Sequence, residues 1–318
     1  MTALRSLVER IVTKNDFFHQ PHIAEINCLD PGSSYYYDLR ARADYPGILK
    51  NGLPVIKYPD FEFINPVNAA QNGLANLQLY WDTGNEIRLA KSLKIADALV
   101  AYGEKEDDGL VWRYPITIAG HTNWLSAMAQ GQVASLLLRL GCVTGNDWYN
   151  VKAKEVLKPF LVPITEGGVS CLLDGKYIWF EEYAIPSPPY TLNGFIVALL
   201  GVRDGSIILE DKVLKSLYEE SINTLTSVLY YFNCRRWSLY DLSFASLGCF
   251  KMNNLASPFY HRFHIELLKV LEILTNIEEF KKQRLEWENS RDYGTRIYSA
   301  IAEKMIYRTL KPVKGATI

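Results

Sequence analysis

The sequence predicts a mainly α protein, a run of antiparallel helix pairs with short β-hairpins inserted between them. Three observations carry this reading. From Asn65 onward, apolar residues recur at helical spacing in one segment after another, mostly in couples parted by turn-forming residues. Strand-like runs are few and short, and one pair is joined by Asp174-Gly175, a tight-hairpin dipeptide. No strict repeat occurs, which disfavours a regular solenoid and leaves helix pairs that stack in a line or close into a ring around a cavity.

In chain order, residues 3–14 read as an opening helix. The following CLDPGSSYYYDLRARADYPGILKNGLPVIKYPDF is dense in Pro, Gly, Asp and Asn, so residues 1–62 are expected to form an N-terminal helix and irregular arm packed on a main domain of residues 63–318. VNAAQNGLANLQLYW opens the first helix pair. In TGNEIRLAKSLKIADALVAYG, Thr83 and Glu86 have capping-box spacing and Gly103 is placed to stop the helix. Further helices are predicted over residues 122–141, 146–160, 189–203, 210–231, 256–275, 277–289 and 293–309, with Thr275 and Glu278 repeating the capping-box spacing. GLVWRYPI and the pair GVSCLL and YIWFEEY supply the strands.

Composition excludes several functions. With 48% apolar and 22% charged residues the chain is of soluble globular type, and a net charge of −1 without a basic stripe argues against nucleic acid. Five cysteines (Cys28, Cys142, Cys171, Cys234, Cys249) include no C-x-x-C pair, so buried free thiols in a reducing compartment are expected, not a zinc or redox centre. Arg5, Glu9, Arg10 and Lys14 break any signal-peptide core, and no apolar run reaches the ~18–20 residues of a membrane span. A cytoplasmic protein without a membrane span is expected. Twenty tyrosines against thirteen phenylalanines suit a groove that is apolar yet offers hydrogen bonds, as carbohydrate-binding clefts do.

Four stretches hold candidate chemistry. In WLSAMAQGQVASLLLRL, Gln132, Ser135 and Arg139 fall at i, i+3 and i+7, a polar stripe that would line a closed cavity or else carry one satisfied Arg to solvent. In WFEEYAIPSPPYTLNGF, an extended 177–183 would set Glu181 and Tyr183 on one face and Glu182 on the other, with Pro189 in the first turn of the next helix and Asn193 on it; on pattern alone the two glutamates end a hairpin in solvent. RRWSLYDLSF places Tyr240 and Asp241 in an extended segment. In SPFYHRFHIELL, Tyr260, His261 and His264 share an inward helix face, while Arg262 and Glu266 pair on the other. No third ligand accompanies the two histidines, and no serine elbow, P-loop or dinucleotide fingerprint occurs, so candidate chemistry rests on Glu and Tyr.

WLSAMAQGQVASLLLRL, WFEEYAIPSPPYTLNGFIVALLGVRD, WSLYDL and YHRFHIELL resemble, in order and spacing, the C-terminal catalytic domain of heparosan D-glucuronyl C5-epimerases over residues 65–290. The resemblance implies an (α/α) toroid or incomplete α/α barrel that inverts C5 of D-glucuronate to L-iduronate within a polysaccharide or oligosaccharide, with Glu182, Tyr183, Tyr240 and Tyr260 as the catalytic set. Inversion of a carbon acid needs a base on one face and an acid on the other. Glu182 and Tyr260 are the expected opposed pair, with Tyr183 and Tyr240 bonding the carboxylate or linkage oxygen. Gln132, Glu181, Asn193, His261 and His264 are expected to hold the substrate, and Arg139 to neutralise its carboxylate, with Arg40 and Arg42 as rivals. No cofactor or metal is implied; the partner is a uronic-acid-containing glycan, and a homodimer is left open. A uronate polysaccharide lyase and a non-catalytic uronoside-binding module are the alternatives. The chain departs from the family at Ala184, where proline is usual, and at Ser243, where animal members carry arginine; Arg262 replaces a small residue but turns outward.

Overall fold

The structure, a computed structural model, describes residues 20–47, 49–57, 61–107, 109–247, 250–291 and 294–311, leaving aside the side chains of 247, 250, 290, 291, 294 and 295. The expected helix over residues 3–14 and Cys249 lie outside these residues.

Helix pairs organise the chain. Helix α1 (Pro66–Thr83) starts after Asn65, whose side chain accepts from the amides of Val67 and Asn68, and stops at Gly84 in the left-handed region. Helix α2 (Glu86–Tyr102) is capped by Asn85 and not by Thr83, whose hydroxyl is occupied with Leu79 O; Gly103 ends it as its position predicts. Then come α3 (Ala127–Thr144) with α4 (Asp147–Leu157), α5 (Leu192–Ile208) with α6 (Lys212–Val228), and α7 (Pro258–Thr275) with α8 (Glu278–Arg291), followed by α9 (Gly294–Leu310).

The odd-numbered helices α1, α3, α5 and α7 pack on one another in succession, and each carries the next helix on its outside. This is an incomplete α/α barrel. The order follows from patterning: α3 and α5 are apolar or small nearly all round and are buried along most of their length, whereas α6 has apolar residues on one face only. Close approach of the inner helices needs glycine: a Cβ on Gly131 of α3 would come within 2.7 Å of Ala198 Cα on α5.

Short antiparallel strands are inserted between pairs. Strands β1 (Leu49–Lys50), β2 (Leu53–Lys57) and β3 (Glu62–Ile64) form one sheet, and β4 (Glu104–Glu106) pairs with β5 (Gly109–Val111). Strands β6 (Ser170–Leu173) and β7 (Tyr177–Phe180) turn through Asp174 at φ 53° and Gly175 at φ 67°, the conformation that an Asp-Gly turn is suited to. Strands β8 (Asn233–Cys234), β9 (Trp237–Leu247) and β10 (Phe250–Leu255) make the third insertion. Strand β7 stops at Phe180, earlier than expected, and α5 starts at Leu192, so Pro189 precedes the helix.

Tyr35, Tyr36 and Tyr37, from the irregular segment before α1, are fully buried among the helices. Here the polar stripe of α3 finds its use, and the sequence reading of it needs correction. Arg139 is fully buried in an ion pair with Asp204 and donates from Nε to Ser34 O, while Ser135 Oγ donates to the same Asp204 and Gln132 donates to Tyr37 OH. The stripe therefore neither lines a cavity nor reaches solvent. Of the free cysteines, Cys28 is buried, Cys171 and Cys234 are half-buried, and Cys142 is exposed, contrary to the expectation of buried thiols throughout. Among the described residues, no helix is long and apolar enough to cross a membrane.

Candidate active site

The N-terminal ends of three inner helices meet at one place, and the turn after β7 passes between them. Glu181 N donates to Val169 O, Ala127 N at the start of α3 donates to Glu181 O, and Ala184 N donates to Leu125 O, so residues 181–184 are pinned on both sides. The strand alternation expected over 177–183 does not apply beyond Phe180. Glu181 turns inward and is fully buried, and Glu182 and Tyr183 both reach a half-buried cluster.

That cluster unites the four residues singled out for catalysis. Tyr183 and Tyr240 hydroxyls lie 3.0 Å apart, and the Tyr240 and Tyr260 rings meet edge to face at 4.9 Å. Asn193 Nδ2, in the first turn of α5, donates to Glu182 Oε2 at 3.2 Å. Gly194 makes this contact sterically feasible, because a Cβ there would sit 2.6 Å from Glu182 Oε2. Tyr183 is backed by Trp124, 5.2 Å away edge to face, which itself stacks on Tyr114 at 4.3 Å. Leu242 N donates to Pro189 O, tying β9 to the turn that precedes α5.

Burial sets the protonation of this cluster. Loss of solvent pushes Glu182 up to about 7, with the Asp241 charge adding to the rise and hydrogen bonds from Tyr183 and Asn193 opposing it. Tyr183 and Tyr240 are held well above the usual phenol range, first by burial and then by the charge of Glu182. Glu181, deeper still, is raised well above the usual carboxylate range by burial; its Oε2 accepts from Tyr183 N. The site thus holds a carboxyl poised near neutrality beside neutral hydroxyl donors.

Several expected substrate contacts lie elsewhere. Gln132 and Arg139 are enclosed between helices, as described, and Arg139 cannot meet a ligand while bound to Asp204. Arg40 is tied to Asp82, Glu25 and Asp38, and Arg42 lies buried against His22. His261 and His264 are both fully buried and converge on one residue: Ser238 Oγ is 2.9 Å from His261 Nδ1 and 2.8 Å from His264 Nδ1, and Ser238 N donates to His261 Nδ1. Trp237 stacks on His261 at 3.9 Å. Both histidines fasten the start of β9 to α7, and burial drives His264 well below its usual range. Glu266 accepts from Ala24 N while Arg262 is exposed. Of the six residues expected to hold substrate, only Asn193 contacts the cluster's carboxylate directly.

The sequence reading missed a polar chain behind Tyr240. Ser243 N and Oγ donate to Asp241 Oδ1, and Asn254 Nδ2 donates to Asp241 Oδ2. Lys304 of α9 donates to Asn254 Oδ1 and lies 5.2 Å from the Tyr240 ring centroid. A signal for it was present: Ala300, Ile301, Lys304 and Tyr307 share a buried helical face, and a lysine in such a stripe asks for a partner.

A family model described as D-glucuronyl C5-epimerase C-terminus matches residues 106–289. The D-glucuronyl C5-epimerase of Caenorhabditis elegans is 31% identical over 176 residues, 52% of this chain and 28% of that protein. An uncharacterized protein of Methanocaldococcus jannaschii is 29% identical over 167 residues, 48% of this chain and 54% of that one. The aligned part therefore spans about half, or less, of these relatives. Among solved structures, a glycoside hydrolase family 76 (mannosidase) from Bacteroides thetaiotaomicron aligns with a TM-score of 0.41 and 11% identity, covering 72% of this chain and 58% of that one.

Proposed function

The chain belongs to the family described as D-glucuronyl C5-epimerase C-terminus, an epimerase family, and on that premise we propose that it inverts C5 of a glucuronate residue in a polysaccharide or oligosaccharide. The observation that carries this reading is Glu182, pushed up to about 7 and held by Asn193 against the Tyr183–Tyr240–Tyr260 cluster. A base with that acidity is ionised in useful amount at neutral pH yet still basic enough to take a carbon-bound proton.

In the proposed reaction Glu182 removes the C5 proton, and the electron pair left at C5 is delocalised into the adjacent sugar carboxylate. A tyrosine O–H on the opposite face, assigned to Tyr260, then donates its proton to C5. Glu182 ends protonated and the phenol ionised, and exchange with solvent restores both. Tyr183 and Tyr240 serve as donors to the sugar carboxylate, whose charge grows as the C5 proton leaves. The reverse direction exchanges the roles of acid and base.

Incubation in heavy water with a non-sulfated glucuronate-containing glycan tests this. Deuterium at C5 with intact chains, followed by nuclear magnetic resonance, is the expected result. Chain cleavage with a new unsaturated end would instead establish a lyase. Binding without exchange across the available uronosides would leave a non-catalytic binding module.

A further inference from the structure

We propose that Lys304 is a positioning residue of this site, a buried cation against the ring of Tyr240 that strengthens this tyrosine as a hydrogen-bond donor to the sugar carboxylate. The inference rests on the reading of Tyr240 as part of the active site and goes beyond it, because α9 lies outside residues 106–289, the segment that matches the family.

An ammonium group is costly to bury unless it is paired and hydrogen-bonded. Lys304 is 4% exposed, and its surroundings supply what it needs. It donates to Asn254 Oδ1; Asn254 in turn donates to Asp241, which accepts from Ser243, whose hydroxyl is 2.8 Å from Tyr307 OH. This chain spans β9, β10 and α9 and ends against two aromatic faces, with Lys304 Nζ 5.2 Å from the Tyr240 ring centroid and 5.6 Å from that of Tyr307.

A cation over a phenol face is attracted to its π electrons, and more strongly once the phenol has ionised. The other groups that face Tyr240 work the opposite way. Glu182 and Tyr183 from the turn after β7 and Tyr260 from α7 all disfavour a phenolate at Tyr240, as burial does. Asp241, the next residue, is engaged by Ser243 and Asn254 and by the Lys304 charge. Lys304 thus supplies the opposing charge at the Tyr240 ring, as a positioning residue.

A merely structural lysine would anchor α9 and leave the acidity of Tyr240 alone, and this difference can be measured. A fluorinated tyrosine placed at position 240 is intrinsically more acidic, and its ionisation is followed by fluorine resonance in the folded protein without substrate. Lys304→Met is expected to move the midpoint upward by about one pH unit, a tenfold loss of acidity, the low end of what a nearby opposite charge produces. Lys304→Arg should keep it within a few tenths of the parent. Should Met unfold the protein, Lys304→Gln retains a donor to Asn254 while removing the charge, and should give the same upward shift. An unchanged midpoint in a folded neutral variant overturns the proposal. The measurement needs no glycan, so a failure to find C5 exchange would sink the functional reading and leave this result standing.

Discussion

At the scale of one residue, Glu182 links activity and stability through a single proton. Its folded-state value of about 7 stands above the ordinary 4.5, so the folded protein holds this proton more tightly than the unfolded chain does. The stabilisation is therefore fully present below about pH 4.5 and is lost as pH rises through 7, by on the order of 3 kcal/mol at most. Catalysis as a base needs the opposite state. kcat/KM for C5 exchange should climb about tenfold per pH unit up to about 7 and then level. Glu182→Gln mimics the protonated form. It should lose at least a thousandfold in exchange, unfold at the same denaturant midpoint as the parent near pH 4, and exceed the parent by about 3 kcal/mol near pH 8. Equal stability of the two proteins at both pH values would show that burial does not perturb this carboxyl. His264, depressed by burial, has the opposite sign, and its contribution is lost as pH falls below its usual range.

At the scale of the element, the turn from Glu181 to Ile185 does what neither flanking element could do alone. It leaves β7 at Phe180 and is held by the α3 N-terminus before the chain reaches α5. Ala184 N donates to Leu125 O at 3.0 Å, a bond that proline cannot make, so the departure from the usual proline has a local use in this chain. Ala184→Pro should leave Leu125 O without its donor and bias Tyr183 toward extended backbone, costing about 1–2 kcal/mol and shifting the Tyr183 hydroxyl relative to Tyr240. Denaturant unfolding and C5 exchange should both fall; a substitution silent in both would mean that the turn is held by its flanks alone. Legibility divides along the same line. Helices and the Asp174-Gly175 hairpin are local, so periodicity and turn chemistry reveal them, with ends off by a few residues where Asn85 displaced Thr83 as the cap. Glu182 was not readable from pattern, which would have left it in solvent; resemblance to a family supplied it. Arg139 was misassigned because its partner Asp204 lies 65 residues away, beyond the reach of a single helix pattern. Its polar stripe was visible, but its direction was not.

At the scale of the whole molecule, the segment before α1 bridges the first inner helix to the last. Gln78 on α1 accepts from Leu39 N at 2.8 Å and donates to Tyr37 O at 3.0 Å, and Asn72 and Asn76 hold the carbonyls of Arg42 and Ala43. On the other side His22 stacks on Phe263 of α7 at 4.3 Å, and Ala24 N donates to Glu266. Phe263 is one turn beyond Tyr260, so a loosened segment would reach the site through α7. Gln78→Leu strands a buried amide and a buried carbonyl, a cost of about 2–4 kcal/mol, and His22→Ala removes a stacked ring, about 1 kcal/mol or more. If each acted only on its own helix, the two losses would add. If the segment seats as one wedge between α1 and α7, releasing it at either end surrenders contacts at both, and the double variant should lose less than the sum by about 1 kcal/mol. A double-mutant cycle in denaturant reads this directly: strict additivity would mean that α1 and α7 are held independently, whereas a shortfall identifies the segment as the piece that closes the incomplete barrel and steadies the end of α7 carrying Tyr260.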